Sequence, residues 1–263
     1  MRVAGLQFDI AWEDPEENFR RVTPWLARAA ADGASFVALP EMFATGFSMH
    51  AEEVSAHAGR VRTFCAEQAA QQGLWILAGM AEPGDPRPRN AAVLFDESGI
   101  ERSVYHKIHP FSLAAEHEHY DGGSRLDTVL IGDLRVTVLI CYDLRFPEPF
   151  RVAAPGTDLF CVIANWPERR SQAWKSLLRA RAIENQAWVL GVNRVGQGGG
   201  LDHSGDSMLI DPMGEVRSAV CRDDALVGGL VTAEAVREAR SRFSFLADRR
   251  LDVYDAIRRD RQS

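Results

Sequence analysis

The chain has 263 residues, 46% hydrophobic and 25% charged, enough to bury a full core, and it reads as one domain over residues 1–263. A net charge of −7 without a basic run argues against nucleic acid and anionic membrane surfaces as partners, and no stretch is long and apolar enough to span a bilayer. The N-terminus meets carboxylates too early for a signal peptide, so a soluble, cytoplasmic protein acting on a small molecule is expected.

Short apolar runs of strand length alternate with amphipathic stretches along the chain. "RVAGLQF" opens as a strand, and "DPEENFRRVTPWLARAAADG" follows as a helix, with Asp14 as its cap, Pro15 at its first position and Gly33 past its end. Pro24 is expected to bend or split that helix. "SFVALPE" is the next strand, "AEEVSAHAGRVRTFCAEQAAQQG" the next helical stretch, and "LWILAGM", "NAAVLFD" and "RSVYHKI" are three further strands. "RVTVLICY", "DLFCVIAN", "AWVLGVNRV", "SMLIDP" and "ALVGGLV" complete the strands, with "SQAWKSLLRARAIENQ" as a helix among them. Apolar strands separated by helices indicate an α/β protein with covered sheets. Hairpin-like joins at "FDESGIERS" and "LIGDLRVTV" make those sheets mixed. The glycine-rich "VGQGGGLDHSG" lacks the lysine of a phosphate-binding loop and reads as a plain flexible connection, with a loop near the active-site mouth as the alternative.

Four scattered cysteines, with no CxxC pair and no cluster at zinc-ligand spacing, speak against a disulfide framework and a structural metal. Cys65 and Cys161 sit in apolar patterns and read as small buried hydrophobes, and Cys221 as a strand end or loop. Cys141 closes the apolar run "VTVLI" where the chain turns polar, at the end of the strand where α/β sheets place their ligand crevices. It is either a core residue or a nucleophile. For the nucleophile, a turn or helix starting just beyond would lower the thiol pKa and offer N–H donors to an oxyanion.

A nucleophilic thiol needs a base. Seven histidines are present, but none clearly ends a buried strand. Glu41 does, directly after "VALP" and among Met42, Phe43 and Phe47, where desolvation would strengthen it as a base. Of 30 Lys and Arg residues only Lys107 and Lys175 are lysine, so the lysine ending "RSVYHK" is a candidate for contact with an oxyanion, whereas Lys175 reads as a helix-surface residue.

"LPEMFATGF", "YHKIHPF" and "LICYDLRFPE", in that order, resemble the nitrilase superfamily of carbon-nitrogen hydrolases, and the likeness runs over nearly the whole chain. "ANWPERRSQAWKSLLRARAIENQAWVLGVNRVG" and "GDSMLIDPMGE" look like its bacterial ω-amidase branch. The resemblance implies a four-layer α-β-β-α sandwich of two mixed sheets, a homodimer or higher homo-oligomer, and catalysis without a cofactor or metal. It implies Cys141 as nucleophile, Glu41 as general base, Lys107 as transition-state stabiliser and the Tyr142 backbone N–H as oxyanion donor. Glu116 aligns with a second, substrate-positioning glutamate, with Glu118 a near competitor. Phe43, Phe47, Trp166 and Arg145 are candidate pocket residues. Arg145, Arg169 and Arg170 are cations available for a substrate carboxylate, although Arg145 is expected to pair with Asp143 or Glu148. The expected reaction releases ammonia from 2-oxo acid ω-amides. Alternatives are a superfamily hydrolase of N-carbamoyl amino acids, nitriles or deaminated glutathione, a histidine-dependent cysteine hydrolase, and a catalytically silent binding protein.

Overall fold

A computed structural model describes residues 1–260. In chain order the first half comprises β1 (Arg2–Gln7), α1 (Pro15–Ala31), β2 (Phe36–Ala38), α2 (Ala51–Ser55), α3 (Ala58–Gln72), β3 (Trp75–Glu82), β4 (Arg89–Phe95), β5 (Glu101–His106) and α4 (Glu116–His119). The second half begins with β6 (Thr128–Ile131), β7 (Leu134–Ile140), α5 (Pro147–Ala153), β8 (Leu159–Ala164), α6 (Ser171–Asn185) and β9 (Trp188–Asn193). It continues with β10 (Val195–Gly198), β11 (Leu201–Ser204), β12 (Ser207–Ile210), β13 (Val216–Val220), β14 (Ala225–Leu230), α7 (Ala233–Arg242) and α8 (Leu251–Asp260).

Two six-stranded mixed sheets result, ordered β14-β1-β2-β3-β4-β5 and β13-β12-β9-β8-β7-β6. Each holds a parallel centre, β1-β2-β3 in one and β7-β8-β9 in the other, with antiparallel strands at its flanks. The two-residue period of the strands sorts their side chains into layers. Val136, Val138 and Ile140 of β7 meet Val3, Phe36 and Leu77 of the other sheet in one core. Leu139 of β7 faces the opposite way, with Phe150 of α5 and Trp174 and Leu178 of α6. On the outer face of the first sheet, Leu6, Val37 and Ile76 pack with Val22 and Leu26 of α1 and Val61 and Cys65 of α3. The expected four-layer α-β-β-α sandwich is therefore present. Among the described residues no helix is long and apolar enough to cross a membrane.

Three local expectations are corrected. Pro24 does not split α1, which runs unbroken from Pro15 to Ala31; Pro24 and Arg20 are both exposed, so the carbonyl that lost its intrahelical donor lies on the watered side. The long helical stretch before β3 is two helices, broken after Ser55. "VGQGGGLDHSG" is not a plain connection but the β10-β11 hairpin, turning at Gly199 and Gly200, both with positive φ.

Candidate active site

The ends of β2, β5, β7 and β8 meet at one edge of the sandwich and carry Glu41, Lys107, Cys141 and Asn165 there. The Glu41 loop crosses β3 so closely that a Cβ on Gly79 would stand 2.5 Å from the Glu41 Cα, so glycine is required under it. Met42, next in the chain, has a positive φ of 45°, and Cys141 one of 46°, a region costly for side chains other than glycine. Strain at both residues marks where the fold sacrifices local comfort to aim two side chains.

Lys107 lies fully buried between two carboxylates. Its Nζ donates to Glu41 Oε1 at 2.9 Å and to Glu116 Oε2 and Oε1 at 2.8 and 3.1 Å. Glu41 and Glu116 are both 0% exposed. Burial alone would lower the lysine pKa, but the charges of Glu116 and Glu41 hold the ammonium well above the ordinary lysine range. Burial pushes the Glu116 carboxyl upward, opposed by Lys107 and reinforced by the charge of Glu41. Glu116 Oε2 also accepts from the Phe111 N–H at 2.5 Å.

Three donors reach Glu41 besides the thiol. Oε1 takes Lys107 and Asn90 Nδ2 (2.8 Å), and Oε2 takes the Asn165 N–H (2.8 Å). A carboxylate offers about four acceptor positions, so one remains on Oε2. The Cys141 thiol faces Glu41, and the carboxylate is among the causes holding its proton in place. Cys141 is only partly covered because one edge opens into the pocket, yet its sulfur is desolvated. Burial, then the Glu41 charge, push its pKa well above the ordinary thiol range. The turn that begins at Cys141 (Cys141–Arg145) does not lower it, contrary to expectation, because a short 3-10 turn is outweighed by desolvation and a neighbouring carboxylate. Tyr142 occupies the first turn of that 3-10 segment, where backbone N–H groups have no partner within the helix.

Above the sulfur lies a cavity of about 360 Å³, lined among others by Phe47, Tyr142, Arg145, Trp166, Arg170 and His203. Arg145 stacks on the Trp166 ring (4.7 Å) and Arg170 on Phe111 (5.1 Å). Burial, then the charge of Arg169, and more weakly that of Arg145, lower the Arg170 pKa. Among the described residues no carboxylate lies within salt-bridge distance of Arg145, Arg169 or Arg170, although the cavity is lined by all three. At the far wall Glu13 accepts from Ser48 Oγ (2.5 Å) and contacts His50 Nδ1 (3.0 Å). Among the described residues no group of three or more His, Cys, Asp or Glu is arranged to hold a metal ion.

Residues 2–240 match the carbon-nitrogen hydrolase family. The chain belongs to that family. It is 36% identical over 245 residues to omega-amidase YafV of Escherichia coli (strain K12), covering 92% of this chain and 94% of that one. It is 31% identical over 256 residues to 2-oxoglutaramate amidase of Bacillus subtilis (strain 168), covering 96% and 98%. The crystal structure of XC1258 from Xanthomonas campestris, a CN-hydrolase superfamily protein with an arsenic adduct in its active site, superposes with a TM-score of 0.89 at 34% identity, covering 95% of this chain and 97% of that one.

In this carbon-nitrogen hydrolase the sequence-derived residues fall into two groups. Glu41, Lys107, Glu116 and Cys141 converge, whereas Glu118 is exposed and turned away. Phe47 and Trp166 line the cavity, and the Lys107 Nζ lies 5.0 Å from the Phe47 ring centre. Phe43 does not line it: it is buried beneath the first sheet, 6.2 Å from both Phe19 and Phe64. Arg145 pairs with neither Asp143 nor Glu148. Asp143 is already satisfied by Tyr105 Oη (2.7 Å), His109 Nδ1 (2.8 Å) and the His109 and Ile140 N–H groups, which frees Arg145 for the cavity. Sequence reasoning missed Asn90, Asn165 and His203. Asn165 had a usable signal, a polar residue ending the apolar "DLFCVIA" as Cys141 ends "VTVLI"; Asn90 and His203 had none.

Proposed function

We propose that this carbon-nitrogen hydrolase is an ω-amidase, cleaving the terminal amide of small 2-oxo acid ω-amides such as 2-oxoglutaramate and 2-oxosuccinamate. Amidase chemistry is supported by the names of the E. coli and B. subtilis relatives. The observation that carries the finer reading is the set of three arginines around the cavity, unpaired with acidic side chains, above a nucleophile-base pair. Such a cationic wall suits an acyl substrate ending in a carboxylate.

In the proposed route the Cys141 thiol passes its proton to Glu41 Oε2 as the sulfur attacks the amide carbonyl. Lys107 and the Tyr142 N–H hold the oxyanion, the lysine exchanging its longest contact, the 3.1 Å one to Glu116 Oε1, for the new oxygen. Collapse breaks the C–N bond, Glu41 returns the proton to the leaving nitrogen, and ammonia departs from a thioester. Water, deprotonated by Glu41, then attacks the thioester; the sulfur leaves as the thiol and the dicarboxylate is freed. Four free cysteines without a disulfide fit a reducing cytoplasm. A homodimer joined through helix faces also belongs to this reading, supported by the exposed Val152 of α5 and Ile183 of α6.

Ammonia release from 2-oxoglutaramate, with glutamine and N-carbamoyl-β-alanine beside it and Cys141→Ala as the blank, tests the reading. Release confined to the oxo acid and absent from C141A supports it, with Arg145→Leu and Trp166→Ala raising KM. Preference for either other amide, or both pocket variants leaving KM and kcat untouched, overturns it.

A further inference from the structure

Asn90, the second residue of β4, takes no part in the chemistry just described, yet it touches three of its residues. Its Nδ2 donates to Glu41 Oε1 at 2.8 Å and to Glu116 Oε1 at 2.9 Å, and its carbonyl accepts from the Lys107 N–H at 2.9 Å. The side chain is 1% exposed, and its Oδ1 meets no donor among the described residues. We propose that Asn90 is the positioning residue of the catalytic carboxylates: its two amide hydrogens bridge Glu41 and Glu116, fixing both in place and turning the free acceptor position of Glu41 toward the Cys141 thiol. The proposal rests on the amidase reading of the Cys141 site.

Two buried carboxylates share one ammonium here, an arrangement that favours protonation of one of them. A base that is already protonated cannot take the thiol proton. A cation in place of Asn90 would pair with Glu41 and weaken it as a base, and an anion would add to the repulsion. A neutral amide with one hydrogen on each carboxylate attracts both without changing the charge. The amide has one permitted orientation, since reversing it would set Oδ1 against two carboxylate oxygens. Because Asn90 and Lys107 both occupy Glu41 Oε1 while the Asn165 N–H takes one position on Oε2, the open position is held on the second oxygen.

The test compares wild type with Asn90→Leu, nearly isosteric and without donors, and Asn90→Ser, which keeps one donor. Each is checked for native near-ultraviolet circular dichroism. The expected result for N90L is a fall in kcat of about 10- to 100-fold, a fraction of what a positioned base contributes. KM stays within about twofold because Asn90 does not line the cavity, and the acid limb of the kcat-pH profile moves to higher pH as the carboxylates lose a donor. N90S falls between the two, and it carries the test alone if N90L does not fold. An unmoved acid limb with wild-type kcat in a folded variant overturns the proposal, as does a loss confined to KM. If wild type releases ammonia from none of the amides, the amidase reading fails separately. The probe is then iodoacetamide alkylation of Cys141: a rate-pH profile displaced upward in the Asn90 variants upholds the positioning role, and an unchanged profile removes it.

Discussion

Replacing Lys107 with methionine keeps most of the side-chain volume and removes the charge together with its hydrogen-bond donors. In the folded protein the ammonium makes contacts of 2.8, 2.9 and 3.1 Å to two carboxylates that are themselves without exposure to water. Deleting one member of a buried ionic cluster leaves uncompensated charge behind, a loss of about 3–5 kcal/mol. For a chain of this size that corresponds to a fall of roughly 10 °C in Tm. The deficit should depend on pH with a definite sign. Without the ammonium that opposes it, burial leaves the Glu116 carboxyl binding its proton more readily folded than unfolded, so stability falls as pH rises; the gap from wild type is widest above neutrality and narrows toward acid. Urea unfolding of K107M and wild type at several pH values reads the gap directly. Turnover on the preferred amide should fall by about 100- to 1,000-fold at every pH, the usual cost of one lost oxyanion donor. A K107M protein as stable as wild type at alkaline pH, or one with a deficit that grows toward acid, would refute the account of the buried cluster.

Glu116→Gln is expected to lower kcat by at least about 10-fold while Glu118→Gln leaves it unchanged, since only the former meets Lys107 and ionised partners make the stronger hydrogen bonds; paired steady-state kinetics decide this. The Cys141 thiol is held protonated, so the difference in thiolate absorbance between wild type and C141A should show no step through the ordinary cysteine range, and a step near neutrality would contradict the geometry. His203 lines the cavity with a pKa lowered to about 4, by burial first and then by the charge of Arg194. Its unfolded form titrates near 6.5, so stability falls as pH drops from there toward 4, by up to about 3 kcal/mol at 1.36 kcal/mol per pKa unit. A histidine-to-asparagine variant at this position should lose that part of the acid sensitivity in denaturant titrations; an identical slope to wild type would assign the sensitivity elsewhere.

The strands were legible because their signal is local. An apolar run bounded by glycine, proline or aspartate says where a strand stops, and in this fold the places where β2, β5 and β7 stop are the places where Glu41, Lys107 and Cys141 begin to matter. The same logic failed for Phe43, which follows Glu41 by two residues and looks identical in sequence to Phe47. Gly46, with a positive φ of 75°, turns the loop between them, with Phe43 under the sheet and Phe47 over the cavity, and no periodicity records such a turn. Arg145 was misjudged for a related reason. Its sequence neighbour Asp143 is consumed by Tyr105 and His109, 38 and 34 residues away along the chain, so nearness in sequence was a poor guide to pairing.

The pKa of Cys141 shows why motif and chemistry have to be argued separately. A thiol at a helix-like N-terminus suggests a stored thiolate, ready to react with any electrophile. Here the sulfur faces Glu41 in a desolvated corner and keeps its proton, while Lys107, a cation that would stabilise a thiolate, is occupied by two carboxylates. In the proposed route nucleophile and base are thereby coupled: the sulfur gains charge only as Glu41 accepts the proton. That transfer becomes favourable when a carbonyl stands between the sulfur and the oxyanion donors to take up the electrons. Such a site should discriminate by positioning, since an electrophile that does not place its carbonyl oxygen near Lys107 and the Tyr142 N–H gains nothing from the coupling.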